Sequence, residues 1–344
     1  MEKSIVSIEL PRNCSNEDRL LFEAFTQYDL PELRLLKLRE VFVAYSGLCM
    51  DATGVIPECY HPNGDKEAIY KDVAYYYEKA QRIPESLIEL DDDNNYVLVH
   101  HPWSTNYWHW ITEAIPRILM IGQKSGSMVL LLPEHYDKIE FVRASLAPFA
   151  FRDIFIIPQG KSLLVRNLWL PQIKEDVDSY YSDIVSGTRA VYLQAFNFDF
   201  SRTSPVFDRI YISRKKASRR RVVNEDEVER LLLSFGFVIV CNEDYSFRQQ
   251  IELYASARYV VSVHGAGLTN MIFMREGSSV LELHKRMTNG KDWHSLAFWR
   301  LSNTLNYTYY HQICEPANPL SSFFDADLVI DIEKLKQNIK LMIP

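Results

Sequence analysis

The chain has 344 residues, of which 47% are hydrophobic and 24% charged, and its formal net charge is −7. A chain of this length is about two domains' worth and can bury a large core without disulfide or metal staples. The acidic balance argues against a general nucleic-acid binder. Five cysteines, at positions 14, 49, 59, 241 and 314, form no C-x-x-C pair and read as the reduced thiols of a cytoplasmic protein. The start, M-E-K-S-I-V-S-I-E-L-P-R, carries no signal-peptide pattern. No stretch reaches the ~20 apolar residues of a membrane span.

Along the chain, residues 1–90 read as irregular, with a helix expected near 30–39, β-rich text over 40–48 and a Pro/Gly loop at 56–64. From residue 95 strands and helices alternate. Strands are expected at 96–100, 128–132, 154–157 and 163–170, and helices at 108–122, 136–146 and 179–196. The polar, proline-marked 201–205 reads as a linker. The second half gives strands at 209–213, 237–241, 259–263 and 280–283 and helices at 224–235 and 246–257, with Asn224 as N-cap. Helix is also expected over 333–342. Such alternation predicts an α/β fold with parallel, doubly wound sheets. The expected division is 1–200, 201–330 and a C-terminal helix, 331–344, returning to the first domain.

Three constellations stand at predicted strand ends. The first, V-S-V-H-G-A-G-L-T-N, runs from Val261 to Asn270. A strand, a glycine turn and a helix start in that order form an anion site, because glycine admits a phosphate and the unpaired N–H groups point at it. Taken alone, a G-A-G is as often a bland turn. The second is H-H-P-W-S-T-N-Y-W-H-W-I-T-E, from His100 to Glu113. His109 and Glu113 share one helical face and can act as a general base and its orienting partner. Trp103, Tyr107, Trp108 and Trp110, with Asn106 as a polar handle, describe pocket walls. The plainer reading is a His–Glu pair that caps the helix. A zinc site at His100, His101 and His109 is disfavoured, since strand alternation sends the first two to opposite faces. The third is the basic I-S-R-K-K-A-S-R-R-R, in which Arg214 and Arg220 or Arg221 could clamp a diphosphate. Asp91-Asp92-Asp93 offers a superficial D-x-D but reads as a solvated turn.

In this order, H-x-x-x-x-N-Y-W-H-W-x-x-E-x-x-P-R, Y-I-S-R with R-R-V-V-N-E-D-E-V, and A-R-Y-V-V-S-V-H-G-A-G-L-T-N-M-I-F with G-S-S-V-L-E-L, the chain resembles glycosyltransferase family 61 over about residues 95–285. That family contains plant xylosyl- and arabinosyltransferases, animal N-acetylglucosaminyltransferases and bacterial proteins of capsular polysaccharide synthesis. The resemblance implies two Rossmann-like domains facing a cleft, the glycosyltransferase-B type. It also implies inverting transfer without an essential metal or other cofactor, a UDP-sugar as expected donor, and a glycan or lipid-linked glycan as acceptor. By position, Arg214, Arg220, Arg221 and His264, Gly265, Ala266, Gly267, Leu268 and Asn270 would meet the nucleotide and diphosphate, and Glu282 the ribose or sugar. Glu113 would be the base, with His109 its nearest competitor. His101, Trp103, Asn106, Tyr107 and Trp108 would face the acceptor. Where the family often has Asp, this chain has Glu113, an acid with longer reach. A bacterial cytoplasmic enzyme, compatible with peripheral membrane association, is the expectation. A catalytically silent nucleotide- or sugar-binding protein and a metal-dependent phosphate-ester hydrolase are the alternatives.

Overall fold

Unbroken runs of β-branched and aromatic residues frame the second half of the chain. In the computed structural model, which describes residues 4–198, 207–290 and 292–343, they form a six-stranded sheet. Its order is Val238–Val240, Arg209–Ile212, Tyr259–Val263, Ser279–Lys285, Thr308–Pro316 and Leu328–Val329. The first five strands are parallel and the last antiparallel. Every residue of Ser279–Lys285 is buried, as befits a central parallel strand covered on both faces. The order of strands reverses between Arg209–Ile212 and Tyr259–Val263. Their carboxyl ends therefore flank the crevice where doubly wound sheets bind ligands.

The helices of this sheet are capped by their own sequences. Ser246 and Gln249 form a reciprocal capping box ahead of Phe247–Ser256. Asn224 precedes Glu225–Ser234 but does not cap it, contrary to expectation, because its amide pairs with the backbone N–H and C=O of Ile330. The C-terminal helix, Ile332–Met342, is also corrected. Leu335, Ile339 and Met342 pack with Val222, Leu232 and Tyr310 of this same sheet rather than returning to the first domain.

The chain divides into two compact units, one with Leu30–Ser179 as its body, the other combining Ile5–Asp29 with Tyr180–Pro344. The expected boundary near 200 thus moves to 179/180, and the expected linker, 201–205, lies outside the described residues. The helix Ser182–Ala195 belongs to the second unit because Tyr192 is buried edge-on against Phe247 and Phe273. Residues 5–29 belong there too. Phe22 is fully buried edge-on to His294, Trp299 and His311, while Arg12 N–H donates to Tyr309 and the Asn13 amide to the carbonyl of His311.

The first unit carries an eight-stranded mixed sheet. Parallel neighbours Ser162–Pro171, Asn95–Leu98, Met128–Pro133 and Asp153–Ile157 form one side, and the long Leu35–Val43 runs antiparallel to Ser162–Pro171. The expected helix over 30–39 is therefore strand. Leu36 and Leu38 pack toward the sheet's core, and the register to Leu170 and Leu168 outweighs the local helical pattern. Nor are the first ninety residues irregular throughout. Lys66–Arg82 is a 17-residue helix, with the Asp65 side chain accepting from the Ala68 amide and Ile69, Val73 and Ala80 buried. The helix expected over 136–146 is two, Glu134–Asp137 and Glu140–Leu146. Asp92 accepts from Asn94 and Tyr96 in a turn. No described helix is long and apolar enough to cross a membrane.

Candidate functional site

In the first unit, two parallel strands end side by side and hand over to the polar turn His100–Asn106 and to residues 172–174. Arg117 staples these ends, its Nε–H donating to the Pro171 carbonyl (2.7 Å) and an Nη1–H to that of Val99 (2.7 Å). Burial depresses this guanidinium to about 10. The helix that follows begins at Asn106, whose Oδ1 accepts from the Trp108 amide, so the expected polar handle is a cap. At Trp110–Ala114 it widens into a π-helical turn, a distortion that recurs at functional sites.

That turn drives the Glu113 carboxylate inward, where it is 2% exposed. Oε2 accepts from His109 Nδ1–H at 2.7 Å and lies 2.8 Å from His101 Nε2; Oε1 lies 3.2 Å from His61 Nε2 and 3.8 Å from Lys174 Nζ. Burial pushes the carboxyl up, but the charge of His61 and hydrogen bonds from the three imidazoles outweigh it and hold Glu113 well below the usual carboxylate range. Burial carries His101 down to about 4. His101, expected at the acceptor, is fully buried and faces Glu113 instead. His100 points elsewhere, against Tyr136 and the backbone at Gly47. The accessible edge is made by His109, with a side chain 20% exposed, and by Trp103, stacked at 6.3 Å from it. Trp108 stands edge-on to His109 at 4.7 Å, and Lys174 Nζ lies 5.0 Å over its ring. Tyr107 packs on Phe141.

The second unit presents His264 at the end of Tyr259–Val263. Glu282, on the neighbouring strand, is fully buried, with one oxygen paired to His264 Nδ1 and the other accepting from the Tyr309 hydroxyl at 2.6 Å. The contact with a ribose or sugar expected from the motif is not what these partners show: both oxygens are engaged within the protein. Glu282 orients His264. Leu268 and Asn270, expected at the nucleotide, are likewise fully buried, with the Asn270 amide donating to Gln250.

The glycines serve close packing of polar side chains. A Cβ on Gly265 would fall 2.6 Å from Arg214 Nη1, and one on Gly267 2.8 Å from Asn242 Nδ2. Among the described residues, the amides of Gly265, Ala266 and Gly267 have no acceptor. Arg214 donates from Nε and Nη2 to the carbonyls of Arg220 and Arg219, both at 3.0 Å. Arg220, at φ 56°, is half-buried beside it with its Nε unpartnered. Burial, and repulsion from Arg219 on the first and from Arg214 and Arg219 on the second, depress both guanidiniums, Arg220 to about 10. Neither makes an ion pair among the described residues. Arg221 does: it is exposed and turned to Asp327, with Nη2 at 3.6 Å, and leaves the expected clamp. Gly265→Ala should therefore displace the Arg214 guanidinium and weaken nucleoside-diphosphate binding, by up to the ~1.5–3 kcal/mol of a charged hydrogen bond. Calorimetry at unchanged melting temperature is the check; unaltered affinity would refute it.

Behind His264 lies a row of imidazoles, the buried His284 and His311 and the half-buried His294, the last two packed on Phe22. Burial holds His284 well below the ordinary histidine value, His294 near about 3 and His311 near about 4. Each binds fewer protons folded than unfolded. Their stability contribution is thus complete above the unfolded value of ~6.5 and is lost as pH falls toward the folded ones, at about 1.4 kcal/mol per pH unit for each. Urea midpoints should drop steeply between pH 7 and 5; a flat profile would contradict the neutral burial.

Sequence reasoning missed His61 and Lys174. Both come from loops with no periodic signature, and only folding brings them to Glu113. No curated protein matches the chain. The family model described as Glycosyltransferase 61 matches residues 107–281. The span takes in the His109–Glu113 turn, both half-buried arginines and the His264 glycine turn. It is just over half of the chain, and the protein belongs to the Glycosyltransferase 61 family.

Proposed function

We propose that the protein is an inverting glycosyltransferase that moves a sugar from a UDP-sugar to a glycan or lipid-linked glycan hydroxyl without requiring a metal. In this reading it serves bacterial surface or capsular polysaccharide synthesis, and its units are the two Rossmann-like halves of a glycosyltransferase-B enzyme. The observation that carries it is the pair Arg214 and Arg220, half-buried with no direct ion pair among the described residues, beside the unpaired amides of residues 265–267. Desolvated cations without a directly paired anion are costly. A diphosphate supplies the missing charge, and the switch point of a doubly wound sheet is where such a group binds.

Transfer is then one in-line displacement at the anomeric carbon. His109 takes the acceptor proton through Nε2, its Nδ1–H being held by Glu113. This exchanges the roles expected from sequence, because a carboxylate ringed by three imidazoles cannot reach a hydroxyl. The two arginines and the amides stabilise the departing diphosphate. Trp103 and Trp108 offer apolar faces to an acceptor sugar. Assay of a nucleotide-sugar panel in the presence of a chelator tests the reading. Transfer from one nucleotide's conjugates supports it. Nucleotide binding with no transfer to any glycan would favour a silent binding protein.

A further inference from the structure

One orienting carboxylate and one base suffice to deprotonate a hydroxyl, yet three imidazoles converge on Glu113. His61 Nε2, His101 Nε2, His109 Nδ1 and a Glu113 oxygen all lie within 4.8 Å of one another. His61 Nδ1–H donates to the Lys174 carbonyl at 2.9 Å. The other edge of that ring, Nε2, faces Glu113 Oε1 at 3.2 Å. A buried carboxylate facing ring nitrogens needs positive charge beside it, which a proton or a bound cation supplies. His61 Nε2, His101 Nε2 and Glu113 Oε1 are all buried without a well-formed hydrogen bond.

We infer that His61, His101, His109 and Glu113 form a binding site for a borderline divalent cation, zinc foremost, and that zinc there inhibits rather than supports transfer. Three nitrogens and one carboxylate oxygen are a zinc donor set, whereas magnesium and calcium want oxygen shells. Bonds of ~2.0–2.1 Å in a tetrahedron put ligand atoms roughly 3.3 Å apart. The carboxylate–imidazole separations of 2.7–3.2 Å lie just under that value, and the ligand atoms, within 4.8 Å of one another, have to draw together around the ion. The Lys174 carbonyl on His61 Nδ1 is the outer-shell partner that fixes a ligating tautomer. Lys174 Nζ, the competing cation, is bonded to the Ser179 carbonyl and stands 3.8 Å off the carboxylate. Zinc on His109 Nδ1 leaves the ring proton on Nε2 and removes the lone pair that would accept the acceptor's proton. The inhibition rests on the assignment of His109 as base; the binding does not.

The full chain, stripped with a chelator, is titrated with zinc against a chromophoric competitor and with cobalt(II) by visible absorption. One equivalent should bind with the intense bands of a four- or five-coordinate nitrogen/oxygen site. His61→Asn and His101→Asn should each lose that equivalent, weakening zinc by more than the ~10–100-fold typical of losing an outer-shell partner. His284→Asn should retain it, which separates the site from His264, Glu282 and His284. Absence of a bound equivalent, or one that survives in His61→Asn and disappears in His284→Asn, overturns the inference. Should His101→Asn fail to fold, the cobalt bands of the unaltered protein and the zinc-induced melting shift, present in it and lost in His61→Asn, decide alone. Zinc that binds as described and leaves turnover unchanged keeps the site and refutes His109 as base.

Discussion

Replacing His109 by alanine is expected to lower turnover by about 10²–10⁴-fold, the usual contribution of a positioned general base. Donor affinity should stay within about twofold, because this group acts on the acceptor proton and not on the nucleotide. Glu113→Gln keeps the shape of the side chain but can no longer accept from His101 and His109 as a carboxylate does, so turnover should fall there too. Groups that act as a unit are non-additive, and the double variant should be little slower than His109→Ala alone. Steady-state kinetics with one donor, read as kcat and KM separately, checks this. If His109→Ala turns over normally and Glu113→Gln does not, the carboxylate is the base after all. If both variants are active, the constellation is structural.

The second large effect is on donor binding. Arg214→Ala is expected to weaken nucleoside-diphosphate binding by about 1.5–3 kcal/mol, roughly 10–150-fold in Kd. The guanidinium is held between the carbonyls of Arg219 and Arg220 and the face of Gly265, so one N–H edge stays available for an anion. Arg220→Ala should act in the same direction. Arg214→Lys should recover only part of the loss, since a point charge lacks the planar fork. Nucleoside affinity, measured without the phosphates, should not move. Calorimetry that returns unchanged diphosphate affinity in both alanine variants would place the anion elsewhere.

Strands read well from sequence wherever both faces are buried. Tyr259–Val263 has the bounds expected, because Y-V-V-S-V can do little else between Arg258 and a glycine turn. Leu35–Val43 misled because its alternation is broken by exposed charges, and only its long pairing with Ser162–Pro171 decides the matter. The helix Lys66–Arg82 hides behind exposed Tyr70, Tyr75 and Tyr77, which blur its apolar face. At the sites, the i,i+4 spacing of His109 and Glu113 foretold their contact, whereas the depth of Glu113 depends on a π-helical turn that no local pattern announces. Glu282 was placed at a ligand because it sits near a strand's carboxyl end. Its true partners, His264 and Tyr309, lie on the two adjacent strands, and cross-strand neighbours are invisible in a single sequence.

The second unit is split in the chain, with Ile5–Asp29 separated from Tyr180–Pro344 by the whole body of the first. On the ribosome, Phe22 leaves the exit tunnel long before the His294, Trp299 and His311 against which it is buried have been made. At ~5–20 residues per second, the wait to residue 311 is on the order of 15–60 s. The continuous body of the first unit, Leu30–Ser179, has its strands and its Glu113 cluster complete during that interval. The second unit closes only when Ile5–Asp29 meets a strand made long after it.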